Sequence, residues 1–200
     1  MAVGNLFCKF ADMMHEDILR AVEVMRDGGV ILYPTDTIWG IGCDATNTAA
    51  VRRVYEIKRR SDSKALISLV GSKDALREVV GDIPHEAEIL METAGRPLTI
   101  VFPHADLLST ALLADDGSAG LRLTSEAYSA ALCRGLGVPV VSTSANVSGS
   151  PSPRFFSEID SDIINAVDYV AMYRRDDTTP SSPSKVIKIN PDGSITTLRP

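Results

Sequence analysis

Four polar segments of this chain combine hydroxyls, amides and cations in a way that suits an anionic ligand. They are Pro34-Thr35-Asp36-Thr37, Lys58-Arg59-Arg60 with Lys64, Ser142-Thr143-Ser144-Ala145-Asn146, and residues 181–185. Lysine supplies a point charge and arginine a two-pronged donor, which is what a polyphosphate and a carboxylate need when withdrawn from water. Each segment alone also fits a plainer role: a turn after Pro34, a solvated helix end, or local capping by Ser and Asn. Together they point to a phosphate-bearing ligand held by charge and small donors, with no His-assisted nucleophile. Neither GxxxxGK[ST] nor GxGxxG occurs, so a nucleotide must be held without a P-loop or a dinucleotide fingerprint. Cys8, Cys43 and Cys133 lack CxxC spacing, and His15, His85 and His104 lack metal-ligand spacing. Neither a disulfide framework nor a protein-held metal is expected.

Something must position these groups. The 200 residues carry 20 Lys+Arg against 26 Asp+Glu, a formal charge of −6, which argues against a nonspecific nucleic-acid clamp. With 44% hydrophobic and 23% charged residues the chain is globular in composition, and its length fits one large domain over residues 1–200. No apolar run approaches the roughly 20 residues of a membrane helix and no leader pattern opens the chain, so a cytoplasmic protein with no membrane contact is expected.

Apolar spacing predicts a helix over 16–26, closed by Gly28-Gly29, then a buried strand over 30–33 ended by Pro34. A second helix carries Val51, Val54, Tyr55 and Ile57, begins near Thr48 and ends in the basic cluster. Further strands are expected over 65–70, 98–102, 120–123, 138–141 and 169–173, and helices over 76–80, 84–91 and 125–136. Residues 142–153 read as a polar loop, 157–160 as a capping box, and 186–198 as a hairpin around Pro191-Asp192-Gly193. Strands and helices interleave, so the fold class is α/β (mixed α+β): a twisted, mixed sheet flanked by helices.

The run 28–42, Gly-Gly-Val-Ile-Leu-Tyr-Pro-Thr-Asp-Thr-Ile-Trp-Gly-Ile-Gly, resembles the opening signature of the YrdC-like threonylcarbamoyl-adenylate synthases. Lys58-Arg59-Arg60 is similar to that family's K-x-R element, and Gly120-Leu121-Arg122-Leu123 to its arginine-bearing strand. Residues 138–149 resemble its S-x-N loop, Pro183-Ser184-Lys185 its P-S-T element and Leu198-Arg199-Pro200 its L-R-P ending. The motifs follow in order over residues 18–200.

The resemblance implies a three-layer YrdC-like fold and a nucleotidyltransferase. Its product would be L-threonylcarbamoyl-AMP, made with pyrophosphate from L-threonine, bicarbonate and ATP, for t6A modification of tRNA beside the anticodon. It implies Mg2+ accompanying ATP, a separate tRNA threonylcarbamoyl-transfer complex that receives the product, and contact with tRNA or double-stranded RNA. By position, Thr35 and Arg122 would belong to the threonine pocket, with Arg122 on the carboxylate and Ser142 at its edge. Lys58, Arg60, Ser144 and Asn146 would form the catalytic tetrad around the carbamate and phosphates. Ser118, Ser152, Ser184 and Arg199, with Lys58 and Ser144, would line the nucleotide. Arg59 reads as an exposed helix end, and Tyr33 and Trp39 as packing residues. Lys58 and Arg60 can converge only if the helix has ended by then.

The chain departs from the family pattern at Gly95-Arg96-Pro97, Ser61, Thr124 and Lys185, none of which removes a charged ligand. Two rival readings remain open: an RNA-binding accessory protein, and a diverged paralogue that adenylates a different carbamoylated amine.

Overall fold

The computed structural model describes residues 2–60 and 66–200. Ser61 and Lys64, singled out from the sequence, therefore lie outside the described residues. Six α-helices alternate with strands along it: α1 Ala2–Arg26, α2 Thr48–Ile57, α3 Lys73–Val80, α4 His85–Thr93, α5 Ala127–Leu136 and α6 Ser161–Ala166. The strands are β1 Ile31–Tyr33, β2 Gly40–Gly42, β3 Ile67–Val70, β4 Leu98–Phe102, β5 Ala119–Leu123, β6 Val140–Ser144, β7 Tyr169–Val170, β8 Lys185–Ile189 and β9 Ile195–Arg199.

Among the described residues these nine strands form one mixed sheet in the order β7-β1-β2-β6-β3-β5-β4-β8-β9. Three of its pairings are parallel, β1 with β7, β3 with β5 and β4 with β8; the others are antiparallel. α1 buries Ile18, Val22 and Met25 of the apolar spacing expected over 16–26, with Ala21, and packs on α5, whereas Leu19 of that spacing is exposed. α3 and α5 in turn cover β3, β5 and β6.

The structure departs from the sequence reading where backbone pairing overrides side-chain character. β6 is not confined to its apolar start: it runs on through Ser142 and Ser144, because Thr143 and Ser144 pair with Ile41 and Gly40 of β2. β2 itself, Gly-Ile-Gly, has no periodicity to read. It needs glycine at 42, where a Cβ would lie 2.2 Å from the carbonyl oxygen of Val141. The capping box expected at 157–160 is absent. Phe156–Glu158 form a 3-10 turn, and Asp160 caps α6 by accepting from Asp162 N. Likewise Asn47, not Thr48, caps α2, its side chain accepting from Ala49 N and Ala50 N.

Register places Ile67, Gly120 and Ser142 side by side on one face of the sheet, with Gly40 opposite Ser144. Arg122 follows two residues after Gly120 and so points to the same face. That face, small and polar at its centre, is the floor of the site.

Candidate active site

A cleft of about 420 Å³ opens over this face. The turn between β1 and β2 supplies Thr35, Thr37 and Trp39, β5 supplies Arg122, β6 supplies Ser142 and Ser144, and the β8–β9 hairpin supplies Ser184 and Arg199. A second cavity of about 350 Å³ shares Ser144 with it and is bounded by Lys58, Arg60 and Asn146. The cation-bearing segments separated in sequence thus stand at opposite ends of one continuous polar surface.

At one end Arg122 is almost wholly buried, with Nη2 3.1 Å from Asp36 Oδ1. The approach is close but poorly aligned, so it is an ion pair and not a hydrogen bond, and Arg122 Nε is left without a hydrogen-bond partner. Burial pushes the Asp36 carboxyl up, and the Arg122 guanidinium opposes that rise. Burial also draws the Arg122 value down, against the pull of Asp36. A buried guanidinium that lines the cleft and keeps one N–H unused is suited to a carboxylate.

At the other end α2 stops at Ile57, Lys58 is its C-cap, and Arg59 takes the left-handed conformation at φ 48°. This turn separates the three basic side chains: Lys58 is 1% exposed, Arg60 is half-buried and Arg59 faces solvent. The condition set by the sequence, that the helix end before Arg60, is met. Lys58 Nζ donates to the carbonyls of Ser144 at 2.5 Å and Asn146 at 2.8 Å. Arg59 borders the second cavity but is exposed to water, where a charge contributes little, so Arg59→Ala is expected to retain turnover within about threefold of the parent. A loss equal to that from altering Lys58 would contradict the geometry.

Burial, with the neighbouring Arg60 charge, lowers Lys58 to about 8, while its two carbonyl acceptors favour the ammonium at neutral pH. The folded value lies below the ordinary 10.5, so between about 8 and 10.5 the unfolded chain binds the proton that the native state has released. Stability linked to this group therefore rises with pH across that window. Activity that needs the ammonium should fall across it. Opposed trends in unfolding midpoint and turnover are expected, and parallel decline in both would count against a working Lys58 ammonium.

Thr35 lines the cleft, but its hydroxyl is fully engaged at home. Oγ1 donates to Ile38 O at 2.7 Å and accepts from Thr37 N at 3.0 Å. Thr37 Oγ1, 3.0 Å away, must then donate to it, which fills its second lone pair. Thr35 therefore holds the turn. Asn146 donates Nδ2 to Ser150 O at 2.6 Å and keeps a buried Oδ1 with no hydrogen-bond partner. Ser184 Oγ lies 3.0 Å from Thr99 Oγ1 and accepts from Arg199 Nη2 at 2.9 Å. Ser152 is on the cleft rim. Ser118 lines neither cavity: it sits before β5, its hydroxyl donating to Asp116, which in turn pairs with Lys188.

Sequence reasoning placed Asp36 and Thr37 in a ligand-suited segment without giving either a role, passed over Gly40 and Arg154 as cleft residues, and took Trp39 for packing only; Asp36 lines neither cavity and stands against Arg122. Trp39 does both, buried against Phe156 with ring centroids 4.8 Å apart while lining the cleft. Asp36 could have been singled out as the acid beside Thr35, since a buried arginine elsewhere requires a carboxylate.

Cys43 and Cys133 are buried, and burial pushes both thiols up, Cys133 to about 12. Neither is a thiolate at neutral pH. Cys43→Ala and Cys133→Ala are each expected to keep the turnover of the folded protein, and a thousandfold loss would reveal a thiol mechanism.

A family model described as "Telomere recombination", bearing the names Sua5, YciO and YrdC, matches residues 23–200. The threonylcarbamoyl-AMP synthase of Xanthomonas axonopodis pv. citri is 36% identical over 158 residues, covering 77% of this chain and 84% of that protein. That of Xanthomonas oryzae pv. oryzae is 34% identical over 154 residues, covering 75% and 82%. Among solved structures, P. abyssi Sua5 complexed with L-threonine superposes with TM-score 0.79 at 26% identity, covering 92% of this chain. The match takes in 53% of that longer chain, about half of it. E. coli YciO superposes with TM-score 0.76 at 26% identity, covering 91% and 87%.

Proposed function

We infer the chemistry from a plain premise: this chain belongs to the Sua5/YciO/YrdC family, and its cleft carries cations at both ends. It is an ATP-using adenylyl transferase, a threonylcarbamoyl-AMP synthase that joins L-threonine, bicarbonate and ATP and releases pyrophosphate. The observation that carries this reading is the buried Arg122 with its unpartnered Nε at one end of a surface whose other end holds Lys58 and Arg60.

Threonine's amine must capture the carbon of bicarbonate with loss of water, and a carbamate oxygen must then attack the α-phosphate as pyrophosphate leaves. Every partner in the second step is an anion. Catalysis therefore rests on alignment and on neutralising charge, with no call for a covalent protein nucleophile. Arg122 takes the threonine carboxylate, and Ser142 borders the amino acid. Ser144, the residue common to both cavities, stands where the carbamate meets the phosphates. Lys58, Arg60 and Asn146 face the phosphates, and Ser184, Arg199 and Ser152 face the nucleoside. Magnesium would accompany ATP as part of the substrate, on its phosphate oxygens. The product passes to a separate enzyme complex that transfers the threonylcarbamoyl group to tRNA. No described helix is long and apolar enough to cross a membrane.

Pyrophosphate release that requires threonine and bicarbonate together is the expected result. Release driven equally well by valine would sink the threonine assignment and favour a paralogue with another amine, and RNA binding without turnover would favour the accessory reading.

A further inference from the structure

On the side of the cleft where Thr35 and Asp36 turn, the chain after β7 crosses over, and nothing in the motifs accounts for it. Its start is clamped by Asp17 of α1, buried, whose carboxylate accepts from Tyr169 Oη at 2.5 Å and from the backbone N–H groups of Met172 and Tyr173 at 2.9 Å. The Tyr173 ring stacks on Tyr128 of α5 with centroids 5.5 Å apart. Arg174 then takes the left-handed conformation at φ 61°, a strained state for a residue with a Cβ. Its guanidinium joins three segments that are far apart in sequence. Nε donates to Asp177 Oδ2 at 2.8 Å, Nη1 donates to Thr35 O at 3.1 Å, and Nη1 lies 3.7 Å from Glu126 Oε1.

We propose that Arg174 is a positioning residue for the amino-acid end of the cleft, holding the Thr35–Asp36 peptide so that Asp36 meets Arg122. Thr35 has no free hydroxyl with which to anchor its turn. Its hydroxyl is saturated within its own turn, so that turn must be fixed to the rest of the protein by backbone, and Arg174 holds its carbonyl. The next residue is Asp36, the counter-charge of the buried arginine. Loss of the Arg174 contact frees the peptide that sets this pair. The nucleotide end, built on the β8–β9 hairpin, is untouched by Arg174 and should not respond. This inference rests on reading Arg122 as the carboxylate partner of threonine.

Arg174→Ala and Arg174→Lys test it with two readouts. Hydrogen exchange is followed at residues 35–40, with α5 amides as the internal reference. Arg174→Ala should exchange faster in the turn and not in α5, and Arg174→Lys, which retains one donor and the charge, should restore much of the protection. In steady-state assays Arg174→Ala should raise KM for threonine about tenfold, leave KM for ATP within about twofold, and be rescued in part by lysine. Unchanged exchange in the turn, or an equal rise in both KM values, overturns the proposal. Faster exchange in a protein whose parent releases no threonine-dependent pyrophosphate upholds the positioning role and overturns the substrate assignment instead.

Discussion

Lys58→Met is expected to lower threonine-dependent pyrophosphate release by at least about a hundredfold. The Lys58 ammonium is buried and makes two charge-assisted hydrogen bonds, to Ser144 O and Asn146 O. Such bonds contribute roughly 1.5–3 kcal/mol each, and every 1.4 kcal/mol lost from the transition state is about a factor of ten in rate. Two costs fall together. The charge proposed to face the phosphates is removed, and the two carbonyls lose the donor that holds the segment after β6 against the end of α2. Methionine keeps most of the volume but satisfies neither carbonyl, so the unfolding midpoint should also drop, by about 4 °C or more for roughly 2 kcal/mol in a chain of this size. Turnover measured per folded molecule separates the two effects. A loss under about fivefold, with Arg59→Ala alongside as the exposed-charge control, would show that Lys58 serves packing alone.

Arg122→Ala is expected to be the most damaging change at the amino-acid end. It deletes the guanidinium proposed to bind the threonine carboxylate and strands Asp36 buried without its counter-charge, and breaking a buried pair from one side costs about 3–5 kcal/mol. Its KM for threonine should rise at least about tenfold, more than its KM for ATP. The stability loss carries a pH signature. Without Arg122 the main opposition to the burial that pushes the Asp36 carboxyl up is gone and only a backbone hydrogen bond still opposes it, so the native variant takes a proton at higher pH than the unfolded chain does. Stability then falls as pH rises through that window, and the deficit against the parent shrinks in acid. A deficit that is constant from neutral to acid pH would mean that Asp36 is solvated and the pair is not structural. Arg122→Lys keeps the charge but not the two-pronged geometry, and should recover stability more than threonine affinity.

Much of this site was legible because its charged members lie in short motifs at strand ends, where an α/β sheet gathers its loops. β1, before Pro34, and the final hairpin, around Pro191-Asp192-Gly193, follow from local rules and stand where those rules put them. What escaped was decided by partners distant in sequence. Ser142 and Ser144 look like loop residues by polarity, and become strand because β2 lies beside them. The Gly-Ile-Gly of β2 has no pattern of its own, and only the closeness of the Val141 carbonyl explains Gly42. Thr35 looks like a substrate ligand by its hydroxyl, yet whether that hydroxyl is available depends on how Thr37 and Ile38 fold back on it. The role of Arg174 was invisible for the same reason, since its acceptor is a backbone carbonyl 139 residues away.

The bonds from Lys58 reach 86 and 88 residues along the chain, to Ser144 and Asn146. β3, β4 and β5 lie between them in sequence, and the last hairpin must dock on β4 before Ser184 and Arg199 reach the cleft. Loops this long carry their closure entropy before the contacts that reward it can form, which slows folding and delays it during synthesis. The cleft wall formed by Ser184 and Arg199 is therefore among the last parts to assemble on the ribosome. A nascent chain that has emerged only through β6 already displays the K-x-R cations but holds no competent cleft, so ligand-assisted folding can act only after the hairpin has left the exit tunnel.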